Sequence, residues 1–201
     1  VQHPDQEVIF VDVGFETTAP GTAACILQAN EQGASNFSVL CLLKSTEPAL
    51  RALIHAPDFA VGGFLCPGHV AVITGSDAFA FLPREFGLPA VVSGFEPADL
   101  LFSIYRLAEM LRQKAPALEN EYTRLVCPEG NSAARSAMER VFLPADSLWR
   151  GLGTIPNSGL ALREAFSPWD AAKKFGFSPS PAVELAGCQC GEVIRGACRP
   201  E

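Results

Sequence analysis

Three absences narrow the reading of this sequence. The first is an excess of positive charge: 15 Lys and Arg stand against 22 Asp and Glu, for a net charge of -7. An acidic chain of this kind lacks the broad cationic surface that holds nucleic acid or an anionic bilayer, although a local basic pocket is compatible with it. The second is an apolar run able to span a membrane. The longest stretch without formal charge, residues 59–76, contains Gly62, Gly63, Pro67, Gly68, His69 and Gly75. A spanning helix of about 20 apolar residues does not carry so many breakers; two buried strands around a tight turn are expected there. The third is a disulfide framework. The seven cysteines are odd in number, no signal-peptide pattern precedes them, and 201 residues can build a core without staples. A content of 48% hydrophobic and 18% charged residues excludes a disordered chain. The length fits one domain or two small ones. The chain begins at Val1 and runs almost at once into a strand, so it is expected to be a piece of something longer.

Strand and helix alternate over most of the chain. Strands are expected at 7–15, 37–43, 62–66, 88–95 and 122–127, each short and apolar or β-branched. Helices are expected at 18–33, with Pro20 in the opening turn and Gly33 as C-cap, and at 46–55, 76–86, 96–114 and 131–142. Residues 69–75 read equally as a helix start or a strand. In the 96–114 helix Leu100, Leu101, Ile104, Leu107, Ala108 and Leu111 recur at helical spacing. The alternation predicts an α/β fold with mainly parallel sheet layers in Rossmann-like halves. The expected organisation is an α/β region over 1–143, in one or two lobes, followed at 144–201 by an irregular Gly-, Pro- and Cys-rich appendage with short strands near Leu152 and Leu160. Gly-Phe-Glu recurs at 14–16 and 94–96, each time at a strand end before a helix; a duplicated βα unit or coincidence would produce this.

Four segments carry candidate chemistry. GFETTAPGTA at 14–23 turns from strand to helix, where exposed N–H groups and the hydroxyls of Thr17 and Thr18 can hold an anion or simply cap. It is neither GxGxxG nor a P-loop, and Glu16 places a carboxylate at the strand end. CPGHV at 66–70 sets Cys66 three residues before His69; the pair reads as two ligands for a borderline metal, or as a buried thiol and an enclosed, tunable imidazole. RGLGTIPNSG at 150–159 is a glycine-rich loop with Arg150 at its head. CQCGEVIRGAC at 188–198 gathers Cys188, Cys190 and Cys198 with two glycines between. Three such thiols suit a soft metal, an iron–sulfur cluster or a redox pair, while zinc normally takes four ligands.

GFETTAP, PGHVAVITG, VVSGFEPADLL, PEGN, WRGLGTIPNSG and CGEVIRGACRP follow one another from Val8 to Pro200. In that order they resemble the HypD family, proteins that help build the iron centre of nickel–iron hydrogenases. The resemblance implies a cytoplasmic protein, a redox-active assembly scaffold and electron donor more than a conventional enzyme. It further implies two α/β domains and a [4Fe-4S] cluster. The implied partners are a HypC-type chaperone, a HypE-type cyanide donor and, indirectly, the hydrogenase large subunit. Iron carrying cyanide and carbon monoxide is the implied cargo. Under the resemblance His69 matches the histidine near the iron site, Glu16, Thr17 and Thr18 match the motif lining an interdomain cleft, and Cys190 and Cys198 match the first cysteines of the cluster region. Cys188 is an additional thiol there. The family's upstream Cys-Gly-Gly-His and Gly-Pro-Gly-Cys-Pro-x-Cys stretches and its later cluster cysteines are absent from this sequence, so an incomplete ligand set is expected. An anion- or small-molecule-binding α/β domain and a thiol-redox or zinc protein are the competing readings.

Overall fold

The β-branched run VIFVDVG forms β1 (Val8–Gly14), which pairs in parallel with β2 (Phe37–Leu43) from Val8 opposite Phe37 to Gly14 opposite Leu43. The computed structural model describes residues 5–177 and 186–199; Pro200, the last match of the final motif, lies outside them. The chain divides into two compact units, one formed by residues 1–57 with 134–201 and the other by 58–133.

In the first unit α1 (Ala19–Gln32) returns the chain from β1 to β2. Pro20 opens it, and Gly33, at φ 63°, closes it with its N–H on Ala29 and Asn30 carbonyls. Helix α2 (Thr46–Ile54) follows β2 directly. The core packs Ala19, Ala23 and Ile26 of α1 on Val39 and Leu43 of β2, with Val141, Phe142, Leu162 and Phe166 completing it.

Those last residues correct one expectation. Residues 142–162 form a regular hairpin where an irregular segment with short strands near Leu152 and Leu160 was expected: β6 (Phe142–Trp149) and β7 (Gly153–Leu162) pair antiparallel, with a register shift between Ala145 and Ser147. Gly151 and Gly153, both at φ 73°, supply the left-handed backbone of its turn. Pro144 and Pro156 disguise it in the sequence, yet prolines are tolerated on the open edges of a two-stranded ribbon. The hairpin is followed by a 3₁₀ segment (Glu164–Trp169), α7 (Ala171–Phe175) and α8 (Cys190–Arg195).

The second unit is a three-stranded parallel sheet of β3 (Phe64–Pro67), β4 (Ala90–Ser93) and β5 (Leu118–Asn120), in that order. Gly68–Thr74 is helical (α3), which decides the open assignment at 69–75. A 3₁₀ turn (Ser76–Phe79) and α4 (Phe81–Phe86) lead to β4. Helix α5 (Pro97–Gln113) covers β3 and β4 and ends on Lys114 at φ 54°. Ser103 and Met110 are its buried positions, whereas Leu101 is 70% exposed and Phe102, Ile104 and Tyr105 are also exposed. The apolar stripe therefore faces partly outward, while Leu107 packs closely on the sheet, where a Cβ on Gly63 would lie 2.9 Å from its side chain. The strand expected at 122–127 is a turn, with Leu125 and Val126 N–H groups on the Tyr122 carbonyl; pairing falls instead on Leu118–Asn120. Helix α6 (Ser132–Val141) leads out of this unit into the hairpin.

Candidate functional site

In open parallel sheets ligands gather at the carboxyl ends of strands, and in each unit the singled-out motifs lie there. At the end of β1, Glu16 is buried and both its oxygens are engaged: Thr46 N–H donates to Oε1 at 2.6 Å and Thr46 Oγ1 to Oε2 at 2.8 Å. The carboxylate thus caps the first turn of α2, where the helix dipole favours negative charge. Thr17 is exposed. Thr18 is the N-cap of α1 but its hydroxyl makes no capping bond; it fills the space beside Gly14, where an added Cβ would lie 2.3 Å from Thr18 Oγ1. Lys44, at the end of β2, donates to Ser147 Oγ (2.5 Å) and Leu148 O (2.8 Å) and sits over the Trp149 ring. Burial lowers its ammonium pKa.

Two motifs far apart in sequence dock here. An added Cβ on Gly191 would lie 2.4 Å from Gly151 O, so the first turn of α8 rests on the backbone of the hairpin turn, and Arg195 Nη1 donates to the same carbonyl at 3.4 Å. The contact places Arg150 Nη2 3.6 Å from Cys188 Sγ, and Cys188 and Cys190 sulfurs 3.1 Å apart. Hydrogen bonding from Cys190, backbone then thiol, and from Arg150 lowers the Cys188 thiol pKa; the neighbouring Cys188 sulfur raises that of Cys190. Beside them lies a cavity of about 190 Å³ lined by Phe15, Leu50, Leu53, Trp149, Leu152 and Ile194, with Arg150 as its charged member.

In the second unit the Cys66–His69 turn separates its two members. Cys66 is buried, which pushes its thiol up to about 12; it is a packing thiol. His69 is exposed, not enclosed, because Gly68 wedges the start of α3 against Ser93 O and the Tyr122 ring, at 2.4 and 2.5 Å from an added Cβ, and turns the next side chain outward. Its ring lies 4.4 Å from that of Phe95 and 6.2 Å from that of Tyr122. Arg124 forms a two-pronged pair with Asp99 (2.9 and 2.6 Å) and covers the Tyr122 ring. That guanidinium lowers the Asp99 carboxyl pKa. The PEGN loop packs on the end of α3: Ser76 and Asp77 N–H groups donate to Cys127 and Pro128 carbonyls, and Asn131 N–H to Ile73 O.

A [4Fe-4S] cluster takes four thiolates. Among the described residues two thiols meet, Cys188 and Cys190, and no group of three metal-ligating side chains forms. The residues present do not make a cluster site on their own. Sequence reasoning passed over Asp12, a fully buried carboxylate on β1 with no hydrogen bond to either oxygen; a lone acid within an apolar strand, on the side facing the helix, is the signal that finds it.

A profile of the family described as HypD: Hydrogenase formation hypA family matches residues 1–201. The chain is 41% identical over 204 residues to a protein of Azotobacter vinelandii named hydrogenase maturation factor HypD, a match covering 98% of this chain and 54% of that protein. It is equally similar, 41% over 204 residues with 98% and 54% covered, to a protein of Azotobacter chroococcum mcd 1 named hydrogenase expression/formation protein HupD. A hydrogenase maturation factor HypD of Escherichia coli strain K12 is 38% identical over 200 residues, covering 99% of this chain and 54% of that protein. The chain spans about half the length of the curated relatives it matches. Among the described residues no helix is long and apolar enough to cross a membrane.

Proposed function

The chain belongs to the HypD hydrogenase formation family, and from that membership we propose that it works in nickel–iron hydrogenase maturation, as part of the scaffold on which the iron unit is assembled. Iron with cyanide and carbon monoxide is the cargo, and HypC-type and HypE-type proteins are the partners. The observation that carries the reading is the family match over the whole chain, together with an exposed imidazole at a strand end. His69 rests on Phe95 beside Tyr122, so an aromatic floor orients a nitrogen ligand that stays accessible to cargo. Orientation of this kind sets metal affinity as strongly as the ligand itself. Thr17 and Thr18 offer hydroxyls at the corresponding end of the other unit's sheet. Glu16 positions that turn by holding α2, since both its oxygens are already committed.

Cys190 and Cys198 fit the proposal as contributors of thiolates to a cluster whose other ligands the described residues do not supply.

The test is a chimera in which this chain replaces the matched segment of the Escherichia coli relative, expressed in a strain without its own copy. Hydrogenase activity should return. His69→Ala in the chimera should lower it on the order of 10-fold or more at equal soluble protein. A soluble chimera that restores nothing, or a His69→Ala chimera as active as its parent, overturns the proposal.

A second reading, a small-molecule-binding domain without iron chemistry, is favoured by the apolar cavity beside Arg150. It requires that short-chain carboxylates raise the melting temperature of this chain even after Cys188, Cys190 and Cys198 are all replaced by Ser.

A further inference from the structure

We infer that the cleft between the end of α1 and the turn from the 3₁₀ segment into α7 binds a phosphorylated aromatic ring. The cleft is a cavity of about 490 Å³ lined by Ser35, Ser167, Pro168, Trp169, Lys173 and Lys174. That volume falls within the roughly 300–1,000 Å³ of small-molecule sites. Ser35 lies just before β2, whereas Glu16 and Lys44 follow the carboxyl ends of β1 and β2. The cleft is therefore at the opposite end of this sheet from the maturation motifs. None of the six motifs supplies a residue to its lining.

One part of the lining is apolar and fixed. Trp169 Nε1 donates to Ala34 O at 2.9 Å, which pins the indole to the end of α1. That helix end is itself closed: Gly33 N–H donates to Asn30 O and Ala34 N–H to Ala29 O, which blunts its negative pole. The other part is cationic. Lys174 Nζ donates to Ser35 O at 2.7 Å and to Glu7 Oε2 at 2.8 Å, and lies 5.4 Å from the Phe175 ring. Lys173 Nζ donates to Glu164 Oε2 at 2.6 Å. The Glu7 and Glu164 side chains are 49% and 84% exposed, and pairs with such exposed acids contribute little. An ammonium has three N–H donors; these bonds use two on Lys174 and one on Lys173, so donors are left for a ligand. A phosphate monoester carries about −1.5 to −2 charge at pH 7. It matches two ammonium groups, where a carboxylate matches one, and it can displace both glutamates. An aromatic ring on the ester then packs on the indole, which favours offset or edge contact with another ring.

Trp169 reports on its own cleft. The chain has two tryptophans, so Trp149→Phe leaves Trp169 as the sole indole. Its fluorescence is titrated with AMP, phenyl phosphate, adenosine and inorganic phosphate. AMP or phenyl phosphate should change the emission saturably, and adenosine and inorganic phosphate should each bind about 10-fold more weakly or worse. Tighter binding of AMP than of phenyl phosphate identifies a nucleotide as the ligand, and the reverse order a smaller aryl phosphate. Lys173→Gln and Lys174→Gln should each weaken binding about 10-fold. Glu7→Gln removes a competing carboxylate and should strengthen it by about two- to fivefold. Calorimetry on the unsubstituted chain repeats the titration, so the result does not depend on how well the Trp149→Phe chain folds. Absence of saturable binding in calorimetry, binding indifferent to both lysines, or inorganic phosphate binding as tightly as AMP overturns the proposal. Every outcome is read on this chain alone and is independent of hydrogenase maturation.

Discussion

Asp12 lies in β1 between Val11 and Val13 with no exposed surface, and neither carboxylate oxygen makes a hydrogen bond. Desolvation raises its pKa above the ordinary 3.8. A folded-state pKa above the unfolded one means that the folded protein binds more protons between the two values. Stability is therefore fully present below the unfolded pKa and is lost as pH rises through the raised one. Asp12→Val removes that loss: it should stabilise the chain by about 1–3 kcal/mol at neutral pH, with the difference shrinking as pH falls below the ordinary value. Urea melts at a series of pH values measure it, and an Asp12→Val chain no more stable than wild type at pH 7 would sink the assignment. The residue scale is also where the sequence is hardest to read. Glu16 and His69 are both visible as polar groups at strand ends, but which one is committed depends on contacts far along the chain. Thr46 takes both oxygens of Glu16, whereas Gly68 turns His69 out to solvent. No local pattern encodes either outcome.

At the scale of elements the two Gly-Phe-Glu turns show the same device. An added Cβ on Gly14 would meet Thr18 Oγ1, and one on Gly94 would meet Asp99 Oδ2 at 2.0 Å; in each, glycine makes room for a polar side chain from the following helix. Each phenylalanine then lies against a ring, Phe15 on Trp149 at 6.0 Å and Phe95 on His69. Removing the Glu16 clamp by Glu16→Ala should cost about 1–2 kcal/mol through the lost cap on α2, read as a lower denaturant midpoint; an unchanged midpoint would show that Thr46 finds another acceptor. The PEGN loop makes a stronger lock. Gly130, at φ 73°, packs so that an added Cβ would be 2.4 Å from Gly75 N, and Gly130→Ala should destabilise the α3 end by about 1–3 kcal/mol, visible as faster amide exchange at Ser76 and Asp77. Helices with a proline near the start or a glycine at the end, α1 and α5 among them, are legible because those residues act locally. Strand choice is not local. Leu118–Asn120 is paired because Arg106 takes the Glu119 carboxylate at 2.7 Å and Asn120 bonds Val126 O and Tyr122 N, which stabilises a polar segment over the more apolar one that follows it.

For the molecule as a whole, connectivity divides the two units unequally. The first is assembled from both ends of the chain, 1–57 with 134–201, and its core joins α1 to the hairpin across more than a hundred residues. Its folding must meet the entropy of closing that long loop. The second unit, 58–133, is continuous. It contains its own three-stranded parallel sheet, its covering helix α5, and the Arg106–Glu119 and Arg124–Asp99 pairs. A continuous segment with Leu82, Val91 and Val92 fully buried meets the minimum for an autonomous domain, although at this size the margin is a few kcal/mol. Residues 58–133 expressed alone should therefore unfold in one cooperative, reversible transition. The same fragment exposes Leu101, Phe102, Ile104 and Tyr105 on α5, so it should associate with rising concentration, and replacing Leu101 and Phe102 by Lys should suppress that association without lowering the midpoint. Circular dichroism melts with light scattering follow both effects. A non-cooperative melt in the Lys-substituted fragment, where association no longer obscures it, would mean that this unit depends on the rest of the chain for its fold.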